Sequence, residues 1–306
     1  MVLFTLGPFA CASVLYVAAW TVPGVLSIAA YRAKAFSHTL AAGLLALALA
    51  ISLAWGAWVE PRRLEITTHV VPVDEAPPGS QTRLVLLADI QAEELGSYER
   101  AMFAAVADLD ADVILIGGDI AQNPADEADR AALWGGLQEL AAGIPVFYVQ
   151  GDVDGPAPPP APVANLNDTE RVLVQWPWIR FVGRSLQESR VQLRSADAEA
   201  ADLFSGLTVV LGHAPDFVIP VVEGDLEFDG LLLAGHTHGG QLQIPFFGPP
   251  VTLSHVRRDV AGGGLHRFGA ARVVVSRGIG MERGQAPRVR FNCRPEIVVF
   301  DLVGPQ

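Results

Sequence analysis

From residue 84 onward the chain alternates short apolar runs with longer stretches of mixed polarity, and five of the runs stop on a residue that can bind a metal. Residues 84–87 lead to Asp89, 113–116 to Asp119, 146–149 to Asp152, 208–211 to His213, and 231–233 to His236 and His238. Short Val/Leu/Ile runs bounded by Gly or Asp predict strands buried on both faces. Between them, residues 97–109 carry Met102, Val106 and Leu109 at helical spacing, and residues 128–141 carry Leu133, Leu137 and Leu140. Strand, helix, strand, helix, strand is the order that builds parallel βαβ units, so the pattern predicts an α/β fold. Open sheets of this kind place their chemistry just beyond the carboxyl ends of the strands.

The front of the chain follows a different pattern. Residues 40–59 carry no charge, a length that spans a bilayer core as a helix. Residues 2–30 are also uncharged, with Pro8 and Pro23 blurring the helical limits. Tyr16, Trp20, Trp55 and Trp58 fall where interfacial aromatics would. The expectation is an anchor of two transmembrane helices over residues 1–59, a polar connector over 60–80 with an edge strand near 64–71, and one α/β domain over 81–306. A cleaved signal peptide is the alternative, but the basic leading segment is missing and the apolar stretch is too long. Arg32 and Lys34 lie between the spans and Arg62 and Arg63 follow the second, a tie by the positive-inside count. The first span has no basic residue at its start, which tilts the expectation to a cytoplasmic hairpin loop and an extracytoplasmic domain at the cell membrane. Residues 155–163 are nearly all Pro and Ala and predict a stiff, extended surface loop, a plain connector or, directly after Asp154, a lid bordering the site.

Composition narrows the function. Of 306 residues 51% are hydrophobic, which fits the anchor. All 33 acidic residues lie from Glu60 onward, against 19 arginines once Arg32 and Lys34 are taken from the 21 basic residues, so the domain carries about −14. The basic footprint of a nucleic-acid enzyme is absent, and no nucleic-acid partner is expected. Cys11 lies in the first span and Cys293 is alone in the domain, so the domain has no disulfide of its own.

Three carboxylates and three imidazoles brought to one volume repel one another unless a cation fills it. Asp and His are ligands for Mn, Fe and Zn, and two such cations about 3.5 Å apart form a clamp for phosphoryl chemistry. Gly117 and Gly118 before Asp119, and Gly235, Gly239 and Gly240 around His236 and His238, let the backbone crowd a ligand. Residues two apart on an extended chain face opposite ways, so the His-Thr-His pair is expected on a turn that reaches two cations. Taken singly, each Asp is as well explained as a helix N-cap and each His as a polar residue at a strand end. Six of them at strand ends are not.

With Asp89-Ile90-Gln91, Gly118-Asp119, Gly151-Asp152-Val153-Asp154, Gly212-His213 and Gly235-His236-Thr237-His238 at these strand ends, the chain resembles the calcineurin-like metallophosphoesterases, and within them the membrane-associated bacterial branch of the YkuE type. The run from Gly235 to Gly248, the segment Ser276-Arg-Gly-Ile-Gly280 and the tail Arg290-Phe-Asn-Cys-Arg-Pro-Glu296 strengthen the likeness. The resemblance implies a four-layer α-β-β-α sandwich and two divalent metal ions, Mn, Fe or Zn. Asp89, Gln91, Asp119 and His238 would hold the first metal, and Asp119 as bridge, Asp152, His213 and His236 the second. It further implies in-line hydrolysis of a phosphomonoester, phosphodiester or pyrophosphate.

Three positions depart from the family pattern. Gln91 replaces a ligand His, keeping an oxygen donor but a weaker one. Asp152 replaces Asn, adding a charge that favours a cation and repels phosphate. Val153 replaces the His assigned to stabilising the transition state or protonating the leaving oxygen, and loss of such a group lowers rate by about 10² to 10⁴. Asp154, the acid that follows, is a candidate catalytic replacement beside Asp119, and His255 and His266 are further candidates. The leading expectation is a membrane-anchored phosphoesterase acting on a phosphorylated, lipid-linked or surface-confined substrate. Its competitor is an inactive binding or scaffold protein of the same fold at the membrane.

Overall fold

The computed structural model describes residues 21, 22, 24, 36–122, 126–282 and 286–306. Its strands are β1 (Glu65–Pro72), β2 (Gln81–Leu87), β3 (Val113–Ile116), β4 (Val146–Tyr148), β5 (Ala164–Asn165), β6 (Glu170–Leu173), β7 (Trp176–Gly183), β8 (Leu207–Leu211), β9 (Leu231–Ala234), β10 (Leu265–Phe268), β11 (Ala271–Val275) and β12 (Glu296–Val303). They form two six-stranded sheets, in the orders β1-β12-β2-β3-β4-β5 and β10-β11-β9-β8-β7-β6. β2, β3 and β4 run parallel in the first sheet, and β7, β8, β9 and β11 in the second.

Alternation within each apolar run explains the layering. Leu84 and Leu86 of β2 and Val113 and Leu115 of β3 enter a core shared with Val209, Leu211, Leu231 and Leu233 of the second sheet. Val85, Leu87, Ile114 and Ile116 point the other way, onto Met102, Val106, Leu133 and Leu137. Those four belong to the helices Ser97–Ala107 and Glu127–Leu140, which cover the outer face of the first sheet. Val210, Leu232 and Val275 pack outward against Phe217, Val221 and Ala198 on the far side of the second sheet. Strands buried on both faces therefore read as continuous apolar runs, and each fully buried side chain contributes roughly 1.5–3 kcal/mol.

Caps set where the two helices begin. The Asp126 side chain accepts from Asp129 N at 2.8 Å, and Glu99 reaches back to Gly96 N at 3.1 Å. The edge strand expected in the connector is β1, hydrogen-bonded in parallel to β12, so the first sheet begins inside residues 60–80.

The helix Phe36–Ala54 continues through a π turn, Trp55–Val59, into a 3₁₀ turn, Glu60–Arg62. Residues Ala41–Arg62 make one helix long and apolar enough to cross a membrane. The other expected span, residues 2–30, lies almost wholly outside the described residues. Among the described residues there is one such helix.

Candidate metal centre

Five of the seven candidate ligands leave their strands through a sharp reversal. Asp89, Gln91, Asp119, His236 and His238 have φ of 52°, 39°, 56°, 72° and 49°, the left-handed region that non-glycine residues rarely occupy. Such conformations cost of order 1–3 kcal/mol each and persist where surrounding bonds fix them. Here Asp89 N donates to Gly118 O at 3.1 Å and Gln91 N to Asp119 O at 2.8 Å, lacing the ends of β2 and β3 together. Gly151 lies so close that a Cβ on it would fall 2.0 Å from Asp119 Oδ1. The two sheets meet where His236 N donates to both Asp89 oxygens, at 3.0 and 2.9 Å.

The side chains converge. Asp89, Asp119 and His213 offer ligand atoms within 4.8 Å of one another, and so do Asp152, His213 and His236. His213 lies at the centre: Nδ1 donates to Gly117 O at 2.7 Å, which turns Nε2 towards Asp119 Oδ2 at 3.5 Å, Asp152 Oδ1 at 3.3 Å and His236 Nδ1 at 3.2 Å. Asp89, Asp119, His213, His236 and His238 are all buried, and Asp152 is exposed. His238 joins from the other side. A Cβ on Gly278 would lie 3.0 Å from Asp89 Oδ2 and 3.2 Å from His238 Nδ1, so those two atoms line one niche.

Burial and mutual charge disturb every protonation state in the cage. Burial pushes the Asp89 carboxyl up to about 6 and Asp119 well above the ordinary carboxylate range. Burial also acts upward on Asp152, but the hydrogen bond and charge of His213 outweigh it and hold Asp152 below that range. His213 is pulled down by burial and up by Asp119, Asp152 and Asp89, and ends at about 10. Burial, then the charge of His213, lowers His236 to about 4; burial, then Arg290, takes His238 well below the usual imidazole value. Burial and like charge thus oppose ionisation of Asp89 and Asp119, while His236 and His238 are held towards their neutral forms. That is the electrostatic signature of a cavity built for cations.

Two orphaned atoms test the fit. His238 Nδ1 and Gln91 Oε1 are buried without a hydrogen-bond partner among the described residues, and both belong to the ligand set expected for the first metal. The Gln91 amide nitrogen donates to Asp119 Oδ2 at 3.0 Å and approaches Glu282 Oε2 at 3.4 Å, leaving the oxygen as its unengaged end. Asp89, Asp119, Gln91 and His238 on one side, and Asp119, Asp152, His213 and His236 on the other, are a mixed N/O donor set suited to Mn, Fe or Zn.

Asp154, expected as a catalytic replacement, is tied to the loop backbone. Its Oδ2 accepts from Asp119 N at 2.7 Å, Gly151 N at 2.9 Å and Tyr148 OH at 2.9 Å, and its Oδ1 from Ile120 N at 2.9 Å. Both oxygens are engaged as acceptors, so Asp154 splices the β3 and β4 loops. His255 and His266 do not reach the cage either. His255 pairs with Asp216 at 3.2 Å, and His266 Nε2 lies 3.2 Å from Gly263 O. Val153 N donates to Asp119 Oδ1 at 3.0 Å, keeping the loop backbone in place under an inert side chain.

Two charged residues at the site gave no signal in the sequence. Arg190 Nη2 lies 3.6 Å from Asp152 Oδ2, a half-exposed guanidinium at the open side of the cage. Glu282 stands beside Gln91. Both come from loops with no strand-end pattern to mark them.

No family model matches the chain. Over 287 residues, 88% of this chain and 95% of the other, it is 26% identical to the uncharacterized metallophosphoesterase YkuE of Bacillus subtilis (strain 168). Over 95 residues, 31% of this chain and 32% of the other, it is 42% identical to the phosphodiesterase YaeI of Escherichia coli (strain K12). Among solved structures, YfcE, a phosphoesterase from E. coli, aligns with 68% of this chain and 85% of its own at 16% identity and a TM-score of 0.35.

Proposed function

We infer that this chain, which belongs to the calcineurin-like metallophosphoesterases, is a membrane-anchored phosphoesterase that hydrolyses a phosphoric ester or pyrophosphate in a two-metal site. The single observation that carries the reading is the buried cage around His213, where five candidate ligands from two sheets lie within contact distance. When bound, two divalent cations would supply an activated water at neutral pH and charge to neutralise phosphoryl oxygens. Asp119, whose Oδ2 lies 3.5 Å from His213 Nε2 and 3.0 Å from Gln91 Nε2, would help to hold both.

The remaining steps fall to this chain's own side chains. The Val153 side chain supplies neither a proton nor a hydrogen bond, so esters with good leaving groups suit the site best. The Arg190 guanidinium offsets the extra charge of Asp152 and faces the opening, where it can hold a non-bridging phosphoryl oxygen by a charge-assisted bond. The helix Ala41–Arg62 supports an anchor, and an anchored enzyme is suited to a phosphate confined to the membrane surface. Loss of the family His at 153 favours the competing reading, an inactive scaffold.

The deciding experiment is metal analysis and turnover of the full chain in detergent. Two equivalents of Mn, Fe or Zn with hydrolysis of bis-p-nitrophenyl phosphate are expected, and Asp119→Asn should lose the hydrolysis and at least one metal. Stoichiometric metal without turnover on phosphomonoester, phosphodiester or pyrophosphate would establish the scaffold instead.

A further inference from the structure

The segment that carries His236 and His238 runs on into a tight turn with Ile244 and Gly248 hydrogen-bonded to each other in both directions, at 3.0 and 2.8 Å. At its tip Phe246 is fully exposed and held at φ 66°, a conformation strained for a bulky side chain. Phe247 is 55% exposed, Ile244 49% and Phe291 40%. Phe291 brackets the base of the turn, donating from N to Gln241 O and accepting from Gln243 N, both at 2.9 Å. A strained turn and its flanking Phe291 thus display four large apolar side chains to solvent, and such patches mark contact surfaces.

The neighbourhood identifies what it contacts. Arg290, one residue before Phe291, donates from N to Gly56 O at 2.9 Å, so the base of the turn is bonded to the last turn of the apolar helix. Trp55 and Trp58 are exposed on that same end of the helix. Exposed arginines lie among these rings: the Arg258 guanidinium 4.2 Å over Phe247, Arg63 5.4 Å over Trp55, and Arg62 bonded to Trp58 O at 2.7 Å. A domain with 33 acidic residues would be pushed from anionic headgroups, and these arginines sit where that repulsion has to be overcome. Aromatic rings mixed with arginines at the end of an apolar helix match the chemistry of the membrane interface.

We propose that the 244–247 turn, with Phe291, is a bilayer-contact surface that seats the domain on anionic headgroups beside its helix. The surface rests on the membrane-anchored reading and is independent of turnover. Because the turn continues the His236–His238 segment, seating it would hold the metal cage against the headgroup layer and present it to phosphates there.

The test is site-directed nitroxide labelling of the full chain, with Cys11→Ser and the buried Cys293 left in place, in nanodiscs of phosphatidylcholine and phosphatidylglycerol in equal parts. One label is attached through Phe246→Cys. A second, through Val174→Cys on the exposed β6–β7 turn, is the water-facing reference. Access of a water-soluble nickel chelate is expected to be several-fold lower at 246 than at 174, and oxygen access higher. Equal nickel access at the two positions, in a chain that stays in the discs, overturns the surface alone. Dipolar broadening between 246 labels on two copies overturns it in favour of self-association. A chain that does not stay in the discs overturns the membrane-anchored reading as well.

Discussion

Val153 brings an inert side chain to the cage, and Arg190 a guanidinium 3.6 Å from Asp152. The Val153 backbone is held by its bond to Asp119 Oδ1, so the position still faces the cage and only the side chain is inert. Val153→His is therefore expected to raise kcat by about 10² or more with poor leaving groups and far less with p-nitrophenyl esters. Equal gains with both would show that the new ring does not act on the leaving oxygen. Arg190→Ala is expected to lower kcat/KM by about 10- to 100-fold, the value of one charge-assisted bond, with Arg190→Lys recovering part of it. Bound metal should be unchanged in both variants, and an unaffected kcat/KM would remove Arg190 from the phosphate side of the site.

At the scale of elements, the strand-to-loop reversals carry the site, and Asp154 holds two of them together. Asp154→Ala leaves three backbone N–H groups and the Tyr148 hydroxyl without their acceptor, at about 1–3 kcal/mol for each that stays buried. The expected result is loss of metal from the site, read by elemental analysis, together with a lower melting temperature. Full metal content with loss of only the acid-dependent limb of the rate profile would restore a proton-transfer role. The ends of β2, β3, β4, β8 and β9 were legible because each strand is buried on both faces and stops just before a candidate ligand. The backbone contacts of Asp154 were not legible because a carboxylate next to position 153 looks the same in sequence whether it faces the substrate or the backbone. Likewise β12, which separates β1 from β2, lies more than two hundred residues from its neighbours in the chain, and no local pattern reports such pairing. Arg190 reaches Asp152 only through the packing of the second sheet against the first. Nor does a list of ligands reveal that five of them sit at positive φ; that emerges from the bonds between loops.

For the whole molecule, the cage couples folding to pH and to metal. His213 is held at about 10 against 6.5 in the unfolded chain, so its contribution to stability is complete below 6.5 and is lost as pH rises towards 10. Asp89, raised to about 6 from 3.8, acts in the same direction at lower pH, because the folded state keeps a proton that the unfolded chain releases. His236, lowered to about 4, opposes this between 4 and 6.5, where the unfolded chain binds the extra proton. Above 6.5 that opposition ends. The chelator-treated chain should therefore melt at progressively lower temperature between pH 6.5 and about 9. Cations replace the protons that the cage otherwise holds, so loading with Mn or Zn should reverse the slope, the gain from metal growing with pH. Thermal melts of the chelated and loaded protein across that range measure both slopes. A chelated protein whose melting temperature stays level or rises would mean that His213 is neutral in the fold, and that the carboxylates around it are not gathered closely enough to need a cation.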